Sequence, residues 1–523
     1  MAGIKLLDCT LRDGGYINDW NFGYNTIRSI INKLVASKVE YVEIGFLRNC
    51  EYDRNCSVFN NCEEMKPILP ADRGNTKFSA MALHNTYDPE RLEPYDGQTV
   101  DLIRVTFHDY DIEEGLDFIR KIKAKGYQTA CNPINIMGYS DAQILTLLEK
   151  VNAVKPDVFS IVDTFGSMMK GDLLRIYSMV EHNLDKSIAI GLHLHENLAL
   201  AYSLAQEYIN IKATERKSII DASMLGMGRI PGNLCMELIM DYMNRTQDGI
   251  YDVNPVLDGI DDYIIRLKEI EPWGYSTAYA LSAKYNLHRN YAEFLLSKGR
   301  LRAKQINQIL ASIEKDKKTA YDEAYVEQLY QQFQNHEVDD TGLMQKLKQD
   351  MQGRAVLILA PGSSILKEKE KIERFIEKEN PIVISANFAS NDYGQDYVFC
   401  SNAMRYSALE NKEPDYQILI TSNLLDVCGE EAVLNYADLC FDEKGGCDNC
   451  VIMILKLLLK LKISKVYVAG FDGYREKGNN YVTSYMASQH TKSVEENIKN
   501  SRYVADIKKQ IEIEFLTDSL YNK

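Results

Sequence analysis

An aspartate beside an arginine follows the first β-rich run of this sequence. The run GIKLLDCT leads to Arg12 and Asp13, which two glycines follow. A carboxylate is a hard ligand for Mg²⁺ or Mn²⁺, and a guanidinium can hold a carboxylate or a developing enolate oxygen in forked geometry. An ordinary strand-end turn with a surface ion pair has the same composition, so the motif alone leaves both interpretations open.

Two histidines lie two residues apart in a later run, IAIGLHLH. Side chains alternate along a strand, so His193 and His195 point the same way and can act as a pair of metal ligands. With Asp13 they make three protein ligands, which leave coordination positions for substrate oxygens. We therefore predict a catalytic site for Mn²⁺ or Mg²⁺ at Asp13, His193 and His195.

These residues lie where short β-rich runs alternate with helical stretches. Eight strand candidates precede residue 226: GIKLLDCT, VEYVEIGF, FSAMAL, DLIRVTF, QTACNPINIM, DVFSIVD, IAIGLHLH and SIIDASML. The alternation predicts parallel strands with helical crossovers, and eight strands match a (β/α)8 barrel. An open, doubly wound sheet is the alternative. Polar residues follow many different strands, which favours the barrel because its active site lies there.

The rest of the chain predicts further segments. We expect a barrel at 1–252, a helical extension at 253–315, a charged helical linker at 316–353 and a Rossmann-like α/β domain at 354–523. In the last domain, a turn containing Gly362, Ser363 and Ser364 opens a helix, and Asp472 follows a later strand. Such a turn can seat a phosphate, which predicts a nucleotide or nucleotide-sugar site. A purely structural domain is the alternative.

Composition excludes several classes of protein. The formal net charge of -15 argues against a general nucleic-acid binder, which carries a basic face. No signal peptide and no run of 18 apolar residues is visible, so we expect a cytoplasmic protein without a membrane partner. The 11 cysteines suit a reducing compartment, and the single C-x-x-C at Cys447 and Cys450 is only a weak indication of metal or redox chemistry. A homo-oligomer is compatible with this composition.

Three motifs together resemble those of the DRE-TIM metallolyase superfamily. They are D-x-T-L-R-D-G at the first strand, the H-x-H strand and the closing D-A-S-x-x-G-x-G-R-x-x-G-N at 221–233. That superfamily includes hydroxymethylglutaryl-CoA lyase, isopropylmalate synthase and 4-hydroxy-2-oxovalerate aldolase. The sequence resembles the last most closely, over about residues 4–313.

The resemblance implies roles for individual residues. Asp13, His193 and His195 match the metal ligands, and Arg12 matches the residue that stabilises a pyruvate enolate. Asn233 matches an asparagine that completes the metal shell in the lyase branch, whereas only waters complete it in the aldolase branch. Tyr275 matches, less directly, a tyrosine that lines the substrate pocket.

One position departs from the aldolase pattern. Those aldolases carry a histidine three residues after the metal-binding aspartate, as the base that acts on the substrate hydroxyl. Tyr16 occupies that position here, and tyrosine is a poor base at neutral pH unless its surroundings activate it. Tyr16 is therefore activated, or it orients a water while His108 or a metal-bound hydroxide acts as the base, or the substrate differs.

Other strand ends supply candidate substrate contacts, namely Asn135, Asp163, Thr164 and Ser223. None of these strand ends carries a lysine, which a Schiff-base aldolase requires. We therefore predict a metal-dependent aldolase or lyase that acts on a small 2-oxo acid and an aldehyde. The alternatives are an acyl-CoA or 2-oxo acid condensing enzyme on the same scaffold, and a nucleotide-sugar or glycan-related bifunctional protein.

Overall fold

The computed structural model describes residues 3–246, 250–409, 415–426, 432–442, 445–475, 480–482, 486 and 493–522. The chain divides into two compact units. Met1–Ala292 and Glu314–Tyr321 form the first, and Glu293–Ile313 and Asp322–Lys523 form the second. The limits expected from composition, at residues 252, 315 and 353, remain predictions.

The first unit is built on a closed parallel barrel. Its strands are β1 (Ile4–Asp8), β2 (Tyr41–Leu47), β3 (Val58–Phe59), β4 (Lys77–Ala82), β5 (Leu102–Phe107), β6 (Gln128–Pro133), β7 (Val158–Asp163), β8 (Ala189–Leu194) and β9 (Ser218–Ala222). The order is β1-β9-β8-β7-β6-β5-β4-β2-β3, and pairing of β1 with β2 closes the ring. Eight strands form the ring, while the short β3 pairs outside it along β2. The predicted barrel and its eight strands are confirmed.

Side chains that recur every second residue fill the barrel lumen. Nearest the amino ends of the strands they form a buried apolar layer of Leu7, Tyr41, Leu102, Ala130, Val158, Ala189 and Ile219. Two residues further along their strands, the same face carries buried Glu43, Arg104 and Asp221. The charged layer therefore lies above the apolar one, towards the carboxyl ends where barrel enzymes keep their active sites.

Helices pack around this barrel. They are α1 (Tyr24–Ala36), α2 (Cys62–Met65), α3 (Ile112–Ala124), α4 (Asp141–Val154), α5 (Lys170–Asn183), α6 (Ala201–Ile211), α7 (Met236–Thr246), α8 (Asn254–Gly259), α9 (Ile265–Ile270) and α10 (Thr277–Lys284). In α1 the buried residues Ile27, Ile30, Ile31 and Leu34 recur at helical spacing. This apolar stripe turns one face of the helix towards the barrel core.

The second unit contains a seven-stranded parallel sheet. Its strands are β10 (Val356–Leu359), β11 (Ile382–Ala386), β12 (Tyr397–Cys400), β13 (Gln417–Thr421), β14 (Ala432–Leu434), β17 (Lys465–Ala469) and β18 (Glu512–Phe515), and a separate hairpin joins β15 (Phe441–Asp442) to β16 (Gly445–Gly446). The strand order is β14-β13-β12-β11-β10-β17-β18. From β10, the chain adds β11 to β14 on one side and β17 and β18 on the other, so the order reverses at β10. The predicted second parallel α/β domain is confirmed.

Helices cover this second sheet. They are α12 (Ala303–Ala311), α13 (Glu323–Gln334), α14 (Thr341–Met351), α15 (Ser364–Lys367), α16 (Lys369–Glu379), α17 (Ala403–Tyr406), α18 (Tyr436–Cys440), α19 (Cys450–Lys460) and α20 (Ser493–Ile507), and α11 (Asn290–Ser297) spans the boundary between the units. The nearly all-apolar α19 buries eight of its residues in the core of this unit. Among the described residues, none of the helices combines the length and the hydropathy needed to cross a membrane.

Candidate metal centre

One carboxylate and two imidazoles converge at the carboxyl ends of the barrel strands. One ligand atom from each of Asp13, His193 and His195 lies within 4.8 Å of the other two. Nε2 of His195 is 3.7 Å from Oδ2 of Asp13. His193 lies on β8, while Asp13 follows β1 and His195 follows the end of β8. The three residues predicted as metal ligands are thus brought together by the fold.

Hydrogen bonds fix the proton of each imidazole on the side away from Asp13. Nδ1 of His195 donates to the backbone oxygen of Asp163 at 2.9 Å. Nδ1 of His193 lies 3.0 Å from the Asp221 carboxylate. Because both acceptors are oxygens, each Nδ1 carries the proton and each Nε2 keeps a free lone pair. A carboxylate or carbonyl behind a histidine is the usual support for a metal-binding imidazole.

Burial and nearby charges keep these groups in the ionisation states that a metal requires. Burial alone would raise the pKa of Asp13, but Arg12 and the neighbouring histidines hold that pKa well below its usual range. Burial lowers the pKa of His193, which keeps this imidazole neutral. Burial would also raise the pKa of Asp221, but Arg104 holds it below its usual value. The site therefore offers an ionised Asp13 carboxylate and a neutral His193 imidazole.

A chain of buried ion pairs, which ends in a hydrogen bond to the neutral His193, surrounds the ligands. In order, it joins Asp13, Arg12, Glu43, Arg104, Asp221 and His193. Nε of Arg12 is 2.7 Å from Oε2 of Glu43, and Nη1 of Arg104 is 3.0 Å from the same oxygen. Within the described part of the chain, Nη2 of Arg12 has no hydrogen-bond partner. The chain holds Arg12 in place and leaves one end of its guanidinium for a ligand.

Asn233 lies against the carboxylate of Asp13. Its Nδ2 donates to Oδ2 of Asp13 at 2.7 Å and to the backbone oxygen of Met227 at 3.2 Å. Its Oδ1 is buried without a hydrogen-bond partner among the described residues. A Cβ at Gly228 would lie 2.2 Å from Nδ2 of Asn233, so this approach requires glycine there. Because an amide oxygen is a hard ligand, the residues present fit a divalent cation.

A cavity of about 250 Å³ lies beside the three ligands. Seven of the residues predicted from the sequence line it: Arg12, Asp13, Tyr16, His108, Thr164, His193 and His195. Tyr16 is 38% exposed, and its ring packs edge-on against Trp20 at 4.8 Å between centroids. His108 stacks on Tyr110 at 4.7 Å. Both residues discussed as bases thus border the cavity.

Four predicted residues besides Asn233 do not line this cavity. The carboxylate of Asp163 accepts the backbone N–H groups of Ser167 and Met168 and closes the loop after β7. Asn135 has a left-handed backbone, with φ 54°, and donates its N–H to Thr164. Ser223 is fully buried and Tyr275 is 60% exposed. Of the predicted substrate contacts, only Thr164 is brought to the cavity.

The structure adds cavity residues to which the sequence analysis gave no role, among them Arg229 of the closing motif. Asn132 lines the cavity, and its buried Oδ1 has no hydrogen-bond partner in the described residues. Arg229 and His288 also line it, with Nη2 of Arg229 2.9 Å from Nε2 of His288. Burial, with Arg229 and Arg289 nearby, lowers the pKa of His288 to about 3, so this imidazole is neutral. Asn132 follows Ala130 by two residues on a lumen-facing strand, a signal that could have found it.

In the second unit, the turn predicted to seat a phosphate has its donors paired with a carboxylate of the protein. The Asp472 carboxylate accepts the N–H of Ser364 at 2.9 Å, and also the hydroxyl of Ser364. The hydroxyl of Ser363 lies 3.4 Å from the same carboxylate. The following helix, α15, has only four residues. Gly362, Ser363, Ser364 and Asp472 thus lie together, but they satisfy one another.

A closed parallel barrel with this ligand set belongs to the class of metal-dependent TIM-barrel lyases. Residues 3–261 match the model of the HMGL-like family, and this part of the chain belongs to that family, within the DRE-TIM superfamily. A second model, D-lyxose isomerase, matches residues 312–423, a span that runs from α13 to β13.

Two named proteins and one solved structure are similar to this chain. The chain is 22% identical over 283 residues to an oxaloacetate decarboxylase of Mycobacterium tuberculosis, covering 52% of this chain and 81% of that protein. It is 23% identical over 267 residues to a 4-hydroxy-2-oxovalerate aldolase of Geobacillus genomosp. 3, covering 50% and 77%. Among solved structures, the N-terminal domain of a Bacteroides vulgatus protein, provisionally named an aldolase, is 24% identical with a TM-score of 0.49, covering 56% and 96%.

Proposed function

We propose that the first unit is a divalent-metal-dependent aldolase that makes or breaks a carbon–carbon bond through a pyruvate-type enolate. The observation that carries this proposal is the pair of histidines, each with Nδ1 bound to an oxygen and Nε2 left for a cation beside Asp13. The relatives named 4-hydroxy-2-oxovalerate aldolase and oxaloacetate decarboxylase support the same chemistry, because both names specify a 2-oxo acid as the substrate.

The donor set suits Mn²⁺ or Mg²⁺ held by Asp13, His193 and His195, with Asn233 as a further oxygen ligand. When bound, the cation supplies the positive charge that stabilises an enolate. Arg12 lines the same cavity and would add a second positive charge at the enolate oxygen. In cleavage, a base removes the substrate hydroxyl proton and the aldehyde leaves. The bonding electrons become the enolate, which is protonated at carbon to give the 2-oxo acid.

Tyr16 remains our candidate for the base, with His108 as the alternative. Tyr16 lines the cavity, and the guanidinium of Arg229 lies 5.6 Å from the centre of its ring. Nδ1 of His108 is buried without a hydrogen-bond partner among the described residues, which leaves this imidazole as the alternative proton acceptor.

Arg229 and His288 favour a substrate with a second anionic group. Nη2 of Arg229 donates to Nε2 of the neutral His288 imidazole at 2.9 Å, which holds the guanidinium at the cavity. No carboxylate among the described residues pairs with Arg229. A carboxylate of the substrate would accept the remaining N–H donors of Arg229, which extends the proposed substrate to a 4-hydroxy-2-oxo dicarboxylic acid.

The proposal is tested by pyruvate release from 4-hydroxy-2-oxo acids with and without a terminal carboxylate. We expect release with Mn²⁺ or Mg²⁺, faster for the dicarboxylate, and none after chelation. Arg229→Gln should lower the ratio of the two kcat/KM values by about 10- to 100-fold, the effect of lost charge-assisted hydrogen bonds. Arg289→Gln, which removes a neighbouring charge that binds the Ile230 backbone, is the matched control.

Three outcomes would contradict parts of this proposal. Release by the metal-free protein would refute metal dependence. Consumption of an acyl-CoA thioester without aldol activity would indicate the condensing alternative. An equal loss of the ratio in Arg289→Gln would mean that the general field, not a contact with Arg229, recognises the second carboxylate.

A further inference from the structure

A large cavity in the second unit lies at the point where the strand order of its sheet reverses. It has a volume of about 660 Å³ and is bordered by the residues that follow β10 and β17. β10 pairs with β11 on one side and with β17 on the other. Open α/β sheets bind their ligands outside the carboxyl ends of the strands at such a switch point. The volume suits a ligand of nucleoside or sugar size.

Recognition in this cavity does not come from the Gly/Ser turn. Asp472 already accepts the donors of Ser363 and Ser364. Its carboxylate would also repel a phosphate placed at the turn. Other residues that border the cavity remain available to a ligand.

Asp448 borders the cavity and is a charged group with a free acceptor. Arg300 is fixed by bonds to the backbone oxygens of Asp448 and Ser401, and it pairs with Oδ2 of the Asp448 carboxylate. Within the described residues, Oδ1 of Asp448 has no hydrogen-bond partner, and 46% of the side-chain surface is accessible. Burial would raise the pKa of Asp448, but Arg300 holds it below its usual range, so the carboxylate is ionised.

The surroundings of Asp448 restrict the chemistry of a ligand. Lys298 and Lys499 lie close enough to lower the pKa of Asp448, so they would repel an ammonium group. The carboxylate itself repels an anion. Uncharged hydroxyl groups remain, because Oδ1 can accept two hydrogen bonds and has no proton to donate.

Two other features suit the rest of such a ligand. Phe471 and Tyr521 border the cavity with ring centroids 4.4 Å apart, and aromatic faces pack against the apolar faces of sugar rings and nucleobases. Tyr330 also borders it, and its buried hydroxyl has no hydrogen-bond partner among the described residues. A buried hydroxyl left without a partner is costly, and a ligand can supply one.

We propose that this cavity binds a sugar-bearing ligand through two adjacent hydroxyls that donate to Oδ1 of Asp448. A free aldose and the ribose of a nucleoside both carry this diol. The site is separate from the proposed aldolase chemistry and does not depend on it.

The test is calorimetric titration of the full chain with D-glucose, uridine and uridine diphosphate glucose. At least one should bind with a dissociation constant of about 1 mM or lower. Removing the diol, as in 2′,3′-dideoxyuridine or 2,3-dideoxyglucose, should weaken binding by about 10- to 100-fold, the effect of lost bonds to a charged group. Binding of uridine alone assigns the ribose, and binding of glucose assigns the aldose.

Asp448→Asn should weaken the same probe to a similar extent. Asp438→Asn, which removes a carboxylate from the exposed pair with Lys460, should not. The comparison of diol with dideoxy ligand uses the unaltered protein, so it decides the question even where Asp448→Asn fails to fold. The proposal is overturned when none of the three probes binds, or when the dideoxy analogues bind as tightly as their parents.

Discussion

Both units place glycine turns and carboxylates at the carboxyl ends of parallel strands, yet the two arrangements differ in how far they satisfy themselves. Beside Asp13, the fold leaves Oδ1 of Asn233 and Nε2 of each metal-site histidine without protein donors. In the second unit, the Asp472 carboxylate takes the donors of the Gly/Ser turn. Buried polar groups are normally paired, so an unpaired set that converges on one point indicates a ligand. A similar motif whose groups pair with one another indicates a structural turn.

The largest expected effect concerns the candidate metal centre, where polar groups lack partners within the protein. His193→Ala should reduce pyruvate release to the level of chelated protein. That loss should exceed the 10- to 100-fold typical of losing an outer partner of a metal ligand. His182→Ala is the matched control, because His182 is an exposed histidine that bonds a backbone oxygen on its own helix. Activity that survives in His193→Ala would remove the distinction between the two units.

Tyr16→Phe should give the next largest effect, because it removes one oxygen and keeps the packing against Trp20. If Tyr16 is the base, aldol cleavage should fall by about 10²- to 10⁴-fold. Oxaloacetate decarboxylation, which needs no hydroxyl deprotonation, should persist. Loss of both reactions would indicate a damaged metal site. Loss of neither would exclude Tyr16 from the mechanism and direct attention to His108.

Arg12→Ala should lower kcat by about 10²- to 10³-fold, the range for losing one preorganised donor. Arg12→Lys should restore activity only in part, because lysine lacks the forked geometry that bonds Glu43 and Asp13 together. Metal content measured by mass spectrometry separates a loss of enolate stabilisation from a loss of the cation. An unchanged kcat in a fully metal-loaded variant would make Arg12 structural.

The barrel, its eight strands and the convergence of Asp13, His193 and His195 could be predicted from the sequence. Strand alternation and the period of two are local, and they fix which end and which face of a strand a residue occupies. What could not be predicted depends on pairs distant in sequence. Arg229 and His288 meet across 59 positions, and no local pattern indicates that contact.

The same limit explains why some of the predicted site residues lie outside the cavity. Asp163 has the expected position at a strand end, but the loop after β7 folds back and takes its carboxylate. Asn135, the predicted substrate contact after β6, does not line the cavity. Asn132, which shares the lumen face with Ala130, does. The family resemblance assigned Tyr275 to the pocket, but the structure leaves this residue exposed. Type and strand position were predictable, while loop hydrogen bonding was not.

The smallest expected effect concerns the satisfied turn of the second unit. Asp472→Asn keeps the size of the side chain and removes the charge that accepts the donors of Ser363 and Ser364. Hydrogen bonds to a charged group contribute about 1.5–3 kcal/mol, so amide exchange around residue 364 should accelerate by about 10- to 100-fold. Asp438→Asn, in an exposed ion pair, should change exchange at residue 364 by less than about twofold. Unchanged protection in Asp472→Asn, together with inorganic phosphate protecting this turn in the unaltered protein, would make the turn an anion site. The two units would then differ in the ligand that each site binds, and not in whether the polar groups of the site are paired within the protein.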